Sequence, residues 1–289
     1  MSVGVCMRIV LFGGDGWIGQ MLQGYLQDHE VIVPPGDVRV DDLARLRGYL
    51  DDICETTWVD RVVCTIGRTY GPNCNTVDYL EDHMHENVRD NLYAPVCLAM
   101  ECNRRNIHFT YFGTGCIFNG NHDFDEKADG NFYGSSYATV KNYTDRLIRQ
   151  MPNCLNIRFR LPISNDLSRR GFIGKIIGYT KIYSQPNTVS VLPSLLPYIP
   201  NMLERGLTGT YHLVNPGTIS HNEILEMYRE YVCPSHTWQL STIEEQRQLL
   251  RCARSNTTLD STKLISLYPN IPTAKDAIQS ILKACGSLK

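Results

Sequence analysis

The chain has 289 residues, a net charge of -2, 43% hydrophobic residues and 20% charged residues. This apolar content can fill a packed core and excludes an intrinsically disordered protein. Balanced charge without a Lys/Arg-rich block excludes a typical nucleic-acid binder, and short, interrupted apolar runs predict neither a membrane span nor a signal peptide. Eleven scattered cysteines without a CxxC pair predict free thiols, no metal site and a cytoplasmic protein.

The first half of the chain alternates short apolar strands with amphipathic helices. We predict strands at residues 8–12, 31–33, 61–65, 108–112 and 155–160. Helices are predicted at residues 18–27, 41–53, 87–102 and 136–150. The alternation is typical of an α/β fold with a Rossmann-type, doubly wound parallel sheet and helices on both faces.

The second half is less regular and is rich in proline and glycine between residues 162 and 200. A strand is predicted at 210–214 and helices at 172–179, 224–232, 242–250 and 273–285. The helix at 224 follows a capping box, Ser220 to Glu223. We expect a dinucleotide-binding domain at 1–160 and a smaller substrate-binding region at 161–289. The strand and helix near 210–232 are expected to return to the sheet.

A glycine-rich loop follows the first strand directly. The sequence of residues 13–19, GGDGWIG, has a G-x-x-G-x-x-G pattern between the first strand and the first helix. Such glycines permit a tight turn, close approach of a pyrophosphate, and close packing of helix on strand. We therefore predict a dinucleotide site with cofactor contacts at Gly13, Asp15, Gly16, Trp17, Ile18 and Gly19.

Cofactor preference depends on the residues that follow the second and third strands. Asp37 could bind the ribose 2′-hydroxyl of NAD, whereas Arg39 or Arg68 could neutralise the 2′-phosphate of NADP. All three could equally be solvated loop charges. The sequence favours NADPH and leaves NADH open.

Tyr137 and Lys141 lie one turn apart on a predicted helix, and Thr114 ends the preceding strand. Reduction of a ketone by hydride needs a proton donor at the oxygen, and a tyrosine beside an ammonium group can serve at neutral pH. Thr114 would lie at the carboxyl edge of the sheet, where it could hold the carbonyl. These residues predict a ketoreductase, and we expect Lys141 to lower the pKa of Tyr137.

These motifs resemble the extended short-chain dehydrogenase/reductases that act on nucleotide sugars. Within them, the chain is similar to the bifunctional nucleotide-rhamnose synthase/epimerase-reductases of plants and giant viruses. The similar stretches are residues 16–19 (GWIG), 114–118 (TGCIF), 160–164 (RLPIS), 215–217 (NPG), 220–229 (SHNEILEMYR) and 254–256 (RSN). A departure is the loop 34–37 (PPGD), which stands where that family has a Gly-rich, Arg-containing turn.

The resemblance implies that Cys116 and Lys175 are the epimerisation pair. A 4-keto sugar has acidic protons at C3 and C5, so one group must remove a proton and another must return one on the opposite face. From the residues alone, Cys116 would be a buried thiol and Lys175 an exposed helix lysine. The sequence does not decide which of them acts at which carbon.

The implied substrate is UDP-4-keto-6-deoxy-D-glucose, epimerised first and then reduced with NADPH, although UDP, dTDP and GDP are not distinguished. Lys141 would also bind the nicotinamide ribose. Further cofactor contacts are expected at Thr65, Gly67 and Pro162. Arg254 is a candidate for the substrate pyrophosphate, and Asn165 and Asn256 for the sugar or uridine. A homodimer is among the expected assemblies, and the sequence does not decide the oligomeric state.

Three other functions are consistent with parts of this pattern. A sugar-nucleotide 4,6-dehydratase would carry an Asp-Glu pair directly after the catalytic threonine, where this chain has Gly115 and Cys116. A 4-ketoreductase without epimerase activity would not need Cys116. A non-catalytic NADP-binding regulator would need the glycine loop but neither Tyr137 nor Lys141.

Overall fold

A computed structural model describes residues 6–287 of the chain. The strands are β1 (Arg8–Phe12), β2 (Glu30–Ile32), β3 (Arg61–Cys64), β4 (His108–Thr114), β5 (Asp123–Phe124), β6 (Cys154–Phe159), β7 (Pro162–Ile163), β8 (Lys181–Ile182), β9 (Ser190–Val191), β10 (Gly209–His212), β11 (Gln239–Leu240) and β12 (Thr258–Leu259).

The α-helices are α1 (Trp17–Gln23), α2 (Leu43–Thr56), α3 (Met84–Val88), α4 (Ala94–Arg104), α5 (Ser136–Arg149), α6 (Phe172–Ile176), α7 (Leu192–Leu195), α8 (Ile199–Glu204), α9 (His221–Tyr231), α10 (Ile243–Leu249), α11 (Thr262–Leu267) and α12 (Ala274–Gly286). Short 3-10 helices lie at Val77–Glu81 and Leu196–Tyr198, and a π-helical turn at Arg89–Tyr93 joins α3 to α4. None of the helices within residues 6–287 is long and apolar enough to cross a membrane.

Within the described residues, six parallel strands form the central sheet in the order β10-β6-β4-β3-β1-β2. The predicted doubly wound parallel α/β fold is confirmed. β2 lies on one side of β1 and β3 on the other, so the winding direction reverses between β1 and β3. Ligands of such sheets bind in the crevice outside the carboxyl ends of the strands at this reversal. β10 comes from the second half of the chain and forms one edge of the sheet.

Apolar residues cover both faces of the sheet, as continuous runs in buried parallel strands require. In β1, Ile9 and Leu11 belong to one core cluster, with α1, α7 and α8. Val10 and Phe12 belong to the cluster on the opposite face, with α2 and α4. A third cluster in the second half joins α6, α9 and α12. The carboxyl edge of the sheet is therefore held between packed layers on both sides.

Several predicted helices have different bounds in the structure. The first helix ends at Gln23 rather than residue 27, because Gly24 turns the chain. The helix predicted at 172–179 ends at Ile176. The Pro-rich segment 192–204, for which no helix was predicted, folds into short helical turns with a proline in the first turn of each. Proline is tolerated there because the first-turn N–H groups have no helical partner.

A buried ion pair fixes α5 to the sheet. Asp145 of α5 accepts hydrogen bonds from the Arg158 guanidinium of β6 at 2.8 Å (Nε) and 2.6 Å (Nη2), and from Asn156 Nδ2 at 2.7 Å. Arg158 and Asp145 are fully or nearly fully buried. Because α5 carries Tyr137 and Lys141, this pair holds both residues against the carboxyl edge of β4 and β6.

We expect Asp145→Ala to lower the free energy of unfolding by about 3–5 kcal/mol, because it leaves the Arg158 charge buried without a counter-ion. Asp129 is the matched control, since its carboxylate is 65% exposed and pairs with Arg149 on the same helix. Asp129→Ala should change the free energy by less than about 1 kcal/mol. Urea unfolding measures both, and equal small losses would show that the buried pair is not needed.

Candidate active site

At two glycines of the loop after β1, Gly13 and Gly19, there is no room for a side chain. Gly13 has φ +81°, and a Cβ there would lie 2.7 Å from Thr65 Oγ1 and 2.9 Å from the Ile66 nitrogen. A Cβ on Gly19 would lie 2.2 Å from the Gly13 carbonyl oxygen. Gly16 precedes α1 without a side-chain cap, so no side chain covers the first amides of this helix. The loop is the close-fitting, uncapped turn that a dinucleotide pyrophosphate requires.

Around this turn, Asp15 and Gly16 are exposed and Trp17 and Ile18 are half-buried, so part of the loop faces open space. The loop after β3 lies directly against it. The Thr65 hydroxyl donates to the Gly13 carbonyl at 2.9 Å and therefore braces the turn.

Gly67 is held in the loop after β3 by a side chain that the sequence analysis did not identify. Asn91 is fully buried in the π-helical turn and its carboxamide bridges the Arg68 backbone. It accepts from the Arg68 N–H at 3.0 Å and donates to the Arg68 carbonyl at 2.8 Å. The Asn91 carbonyl accepts from the Thr144 hydroxyl of α5 at 2.7 Å. Asn91 thus connects the loop at Gly67 to the helix of Tyr137 and Lys141.

Each of the three charged candidates for cofactor preference is in an ion pair in this structure. Asp37 pairs with Arg45, and Arg39 forms a two-pronged ion pair with Asp41 at 2.8 and 3.1 Å. Arg68 contacts the Asp90 carboxylate at 2.5 Å. Both pairs lie at the surface, since 64% of the Asp37 side chain and 56% of the Arg39 side chain are exposed. Exposure therefore does not distinguish Arg39 from Asp37 as the group beside the cofactor ribose.

Thr114 and Tyr137 meet at the carboxyl edge of the sheet, as predicted from the sequence. Thr114 ends β4, and Ser135 caps α5 by accepting from the Ala138 N–H at 3.1 Å, which places Tyr137 in the first turn. Burial and the neighbouring Cys116 raise the pKa of Tyr137, and a hydrogen bond with Thr114 opposes them only in part. Tyr137 consequently stays protonated at neutral pH and can donate a proton.

The expected lowering of the Tyr137 pKa by Lys141 is not seen in this arrangement. The Lys141 ammonium instead donates a hydrogen bond to the hydroxyl of Tyr111, a buried residue of β4, and lies 4.7 Å from the centre of its ring. Burial lowers the pKa of Lys141 to about 8. The positive charge is present below that pH and is lost as the pH rises through it.

Cys116 lies two residues beyond Thr114, where its N–H donates to Thr114 Oγ1 at 3.1 Å. Its sulfur accepts a hydrogen bond from Arg160 Nη1 at 3.3 Å. Lys175 of α6 interacts electrostatically with the same sulfur, and its pKa is lowered by burial and by Arg254, against a smaller opposing effect of Cys116. The structure brings Cys116 and Lys175 to one site, although they are 59 residues apart.

The residues proposed for substrate binding divide into two groups. Arg254 and Asn256 line an open cavity of about 430 Å³, together with Phe132, Tyr183 and Gln185. Arg254 Nη2 pairs there with Asp78 Oδ2 at 2.6 Å. Burial raises the pKa of Asp78, but hydrogen bonds led by Arg254 outweigh it and lower the pKa to about 2.

The second group is Asn165 alone, in the segment that follows β6, where it lies two residues after β7; the predicted cofactor contact Pro162 lies in β7 itself. Asn165 is exposed, and its carbonyl accepts from the Cys285 thiol of α12. No hydrogen bond joins the Asn165 side chain to the other candidates in the described part of the chain. Pro162 is half-buried in β7, next to Leu161, whose φ of +43° is rare for a residue with a side chain.

Three residues of the site received no role from the sequence: Asn91, Tyr111 and Arg160. Tyr111 is one of 16 tyrosines and lies in an apolar strand, so nothing local marks it as a partner of Lys141. Arg160 directly follows the strand Cys154–Phe159, and no local pattern marks it as buried. Only the packing of β6 against β4 shows that it reaches Cys116.

The glycine turn, the carboxyl-edge Thr-Tyr pair and the Rossmann-type sheet define a dinucleotide-binding protein of the reductase and epimerase class. The model of the NAD dependent epimerase/dehydratase family matches residues 9–162. The protein L780 of Acanthamoeba polyphaga mimivirus is 41% identical over 286 residues, covering 96% of this chain and 98% of L780. The chain belongs to the NAD dependent epimerase/dehydratase family.

Solved and curated relatives support this assignment. The crystal structure of the L780 UDP-rhamnose synthase from the same mimivirus has a TM-score of 0.91 and covers 96% of this chain and 99% of that chain. A bifunctional dTDP-4-dehydrorhamnose 3,5-epimerase/reductase of Arabidopsis thaliana is 36% identical over 94% of this chain and 91% of its own length. The resemblance to rhamnose synthase/epimerase-reductases is confirmed. A dTDP-4-dehydrorhamnose reductase of Bacillus anthracis in complex with NADP, 15% identical with TM-score 0.79, shows the same fold over 96% of this chain and 99% of that chain.

We expect Gly13→Ala to reduce the free energy of unfolding by about 2 kcal/mol, because the added Cβ meets Thr65 and the backbone at a left-handed φ. Gly48→Ala is the matched control, since its Cβ would meet nothing within 4 Å in the middle of α2. That change should stabilise the protein by about 0.5–1 kcal/mol. Urea unfolding and NADPH titration test both variants, and wild-type cofactor affinity in Gly13→Ala would contradict the role of the turn.

Proposed function

We propose that the chain catalyses 3,5-epimerisation of UDP-4-keto-6-deoxy-D-glucose followed by NADPH-dependent reduction at C4, which gives UDP-L-rhamnose. The observation that carries this proposal is the convergence of two chemical pairs on one sheet edge. Thr114 and Tyr137 supply what ketone reduction needs, and Cys116 with Lys175 supplies two proton-transfer groups. The printed functions of the mimiviral and Arabidopsis relatives support the same reaction sequence.

Epimerisation comes first, because reduction removes the ketone that acidifies C3 and C5. A proton leaves the carbon to one of the pair Cys116 and Lys175, and the electron pair moves to the C4 oxygen. Thr114 and Tyr137 hydrogen-bond that oxygen and stabilise its negative charge. The other member of the pair returns a proton from the opposite face. The lowered pKa of Lys175 makes proton transfer from its ammonium easier than from an ordinary lysine.

When bound, NADPH would supply the hydride for C4. Tyr137 donates its phenolic proton to the C4 oxygen; its raised pKa makes it a weaker acid than an ordinary tyrosine, so the transfer needs a neighbouring group that stabilises the phenolate. Thr114 keeps the carbonyl oriented. Lys141 lies one turn further along α5, where a protonated side chain can bind the nicotinamide ribose and stabilise the negative charge that forms on Tyr137.

With NADPH as the cofactor, the exposed Arg39 would exchange its surface partner Asp41 for the 2′-phosphate. Arg254 could donate two hydrogen bonds to the pyrophosphate of the substrate if it released the Asp78 carboxylate. The cavity that Arg254 and Asn256 share would then hold the nucleotide. UDP is the nucleotide named for the mimiviral relative, whereas the bifunctional Arabidopsis relative is named for dTDP.

Substitutions of Cys116 and Tyr137 should separate the two reactions. Cys116→Ala should abolish solvent-deuterium incorporation at one or both of C3 and C5, because a methyl group carries no proton, and should still reduce an epimerised 4-keto-rhamnose nucleotide. Tyr137→Phe should keep deuterium exchange measurable but cut NADPH oxidation by roughly 10²–10⁴-fold, the usual contribution of one general acid. NMR of the sugar and absorbance at the NADPH band measure the two reactions.

Two results would overturn these assignments. Wild-type exchange at both carbons in Cys116→Ala would leave the thiol as a small core residue and favour a 4-ketoreductase without epimerase activity. Near-wild-type NADPH oxidation in Tyr137→Phe would remove Tyr137 from proton donation. Lys175→Ala serves as the companion variant, since it should lose exchange while retaining reduction.

The assembly and compartment belong to the same proposal. Exposed apolar residues of α4 and α5, Met100 (57% exposed), Tyr143 (51%) and Leu147 (44%), form a face on which a second copy of the chain would pack. Sedimentation at micromolar concentration should give a dimer that Leu147→Glu dissociates, and a monomeric wild type would refute it.

All eleven cysteines are free, which supports a cytoplasmic location.

A further inference from the structure

Arg160 follows β6 and is 1% exposed, yet its guanidinium contacts no carboxylate among residues 6–287. Nη1 donates to Cys116 Sγ at 3.3 Å and to Ser255 Oγ at 2.8 Å. Nη2 donates to Asn187 Oδ1 and to the Ser255 carbonyl, each at 2.6 Å. Nε has no hydrogen-bond partner in the described residues. Every acceptor around this cation is neutral, except that the sulfur can become an anion.

Arg158, two residues earlier on β6, is a buried arginine with the usual carboxylate partner. Its guanidinium is fully buried and paired with Asp145 at 2.6 Å. Buried charges in proteins are normally paired in this way. Within residues 6–287 no carboxylate oxygen lies within 4.0 Å of a guanidinium nitrogen of Arg160, and the group that interacts with its charge favourably is Cys116.

The other charged and titratable groups facing Cys116 are cations or phenols. Tyr137 and Lys141 of α5 and Lys175 of α6 each interact electrostatically with the sulfur. Behind them, Arg254 faces Lys175, and His221 of α9 faces Arg160. Burial lowers the pKa of His221 to about 4, so this imidazole is neutral at working pH. Two acids face members of this group: Asp78 is paired with Arg254, and Asp145, which interacts with Lys141, is paired with Arg158.

We propose that Arg160 is a positioning residue whose guanidinium stabilises negative charge on the Cys116 sulfur, so that Cys116 is the proton acceptor of the epimerisation and Lys175 the proton donor. This inference rests on the proposed function. The C–H bond beside the C4 ketone breaks, its proton forms the S–H bond, and the electron pair moves to the C4 oxygen. An N–H bond of the Lys175 ammonium then breaks as the new C–H bond forms on the opposite face. Transfer of the thiol proton to the Lys175 amine through water restores both groups.

The variants change the charge beside the sulfur by two independent routes. Arg160→Gln removes the cation and Arg160→Lys retains it. Asn187→Asp is the second route, because its side chain already accepts from Arg160 at 2.6 Å and from the Thr257 N–H at 2.9 Å. The acid would neutralise Arg160 in place, with loss of the hydrogen bonds that the Asn187 amide donates to the Gln185 carbonyl at 3.0 Å and to Asn256 Oδ1 at 3.2 Å. Asn201→Asp on α8 is the matched control, since it makes the same change where the side chain accepts from Tyr268.

The first measurement is the pH dependence of Cys116 alkylation by iodoacetamide, followed by mass spectrometry of the Cys116 peptide because ten other thiols are present. The thiolate is the reactive form. The pH of half-maximal alkylation should rise by at least about one unit in Arg160→Gln and Asn187→Asp, and should stay at the wild-type value in Arg160→Lys and Asn201→Asp. A wild-type half-point in both charge-altering variants would overturn the proposal.

The second measurement is solvent-deuterium exchange at C3 and C5 against pH. At pH 7, Arg160→Gln and Asn187→Asp should exchange about tenfold more slowly than wild type, since one pH unit changes the thiolate fraction about tenfold. The deficit should vanish as the pH rises, which a purely structural defect would not produce. NADPH-dependent reduction of the epimerised substrate should stay within about twofold of wild type. If the wild-type protein exchanges no deuterium, the proposed function is wrong. The pH values of half-maximal alkylation would still show whether Arg160 stabilises negative charge on the Cys116 sulfur.

Discussion

Burial of positive charge without carboxylate partners is the constraint on which the site depends. Lys141 and Arg160 are both at least 96% buried at the carboxyl edge of the sheet, and none of the hydrogen bonds that they donate within residues 6–287 goes to a carboxylate. Such cations in a low-dielectric environment favour any group that can become negative beside them. In the proposed mechanism these groups are the Cys116 sulfur beside Arg160 and the Tyr137 oxygen near Lys141, so Arg160 serves proton abstraction and Lys141 serves reduction.

A buried ion pair and a buried asparagine hold the elements that carry these cations in place. Asp145 neutralises Arg158 and joins α5 to β6, and Asn91 links α5 to the loop after β3. These contacts fix the helix that carries Tyr137 relative to the strand that ends at Thr114. The distance between Tyr137 and Thr114 is therefore set by packed elements rather than by a mobile loop, and preorganisation of this kind avoids rearrangement during a reaction.

The sequence predicted the features that depend on local chemistry. Apolar runs located the strands, the box from Ser220 to Glu223 marked the start of α9, and the glycine pattern identified the turn after β1. It could not predict contacts made across the sheet. That Lys141 bonds Tyr111 rather than acting on Tyr137, and that Arg160 reaches Cys116, depends on strand register. The helices of 192–204 were missed because prolines read as breaks when each one in fact starts a new turn.

The most direct test of the account is one reaction of the unmodified protein in D₂O with UDP-4-keto-6-deoxy-D-glucose and NADPH, followed by proton NMR of the product. The account predicts UDP-L-rhamnose with deuterium at C3 and C5 and with protium, delivered from NADPH, at C4. A product reduced at C4 that retains the original configuration and protium at C3 and C5 would contradict it. Such a product would leave Cys116 and Arg160 without a role in catalysis.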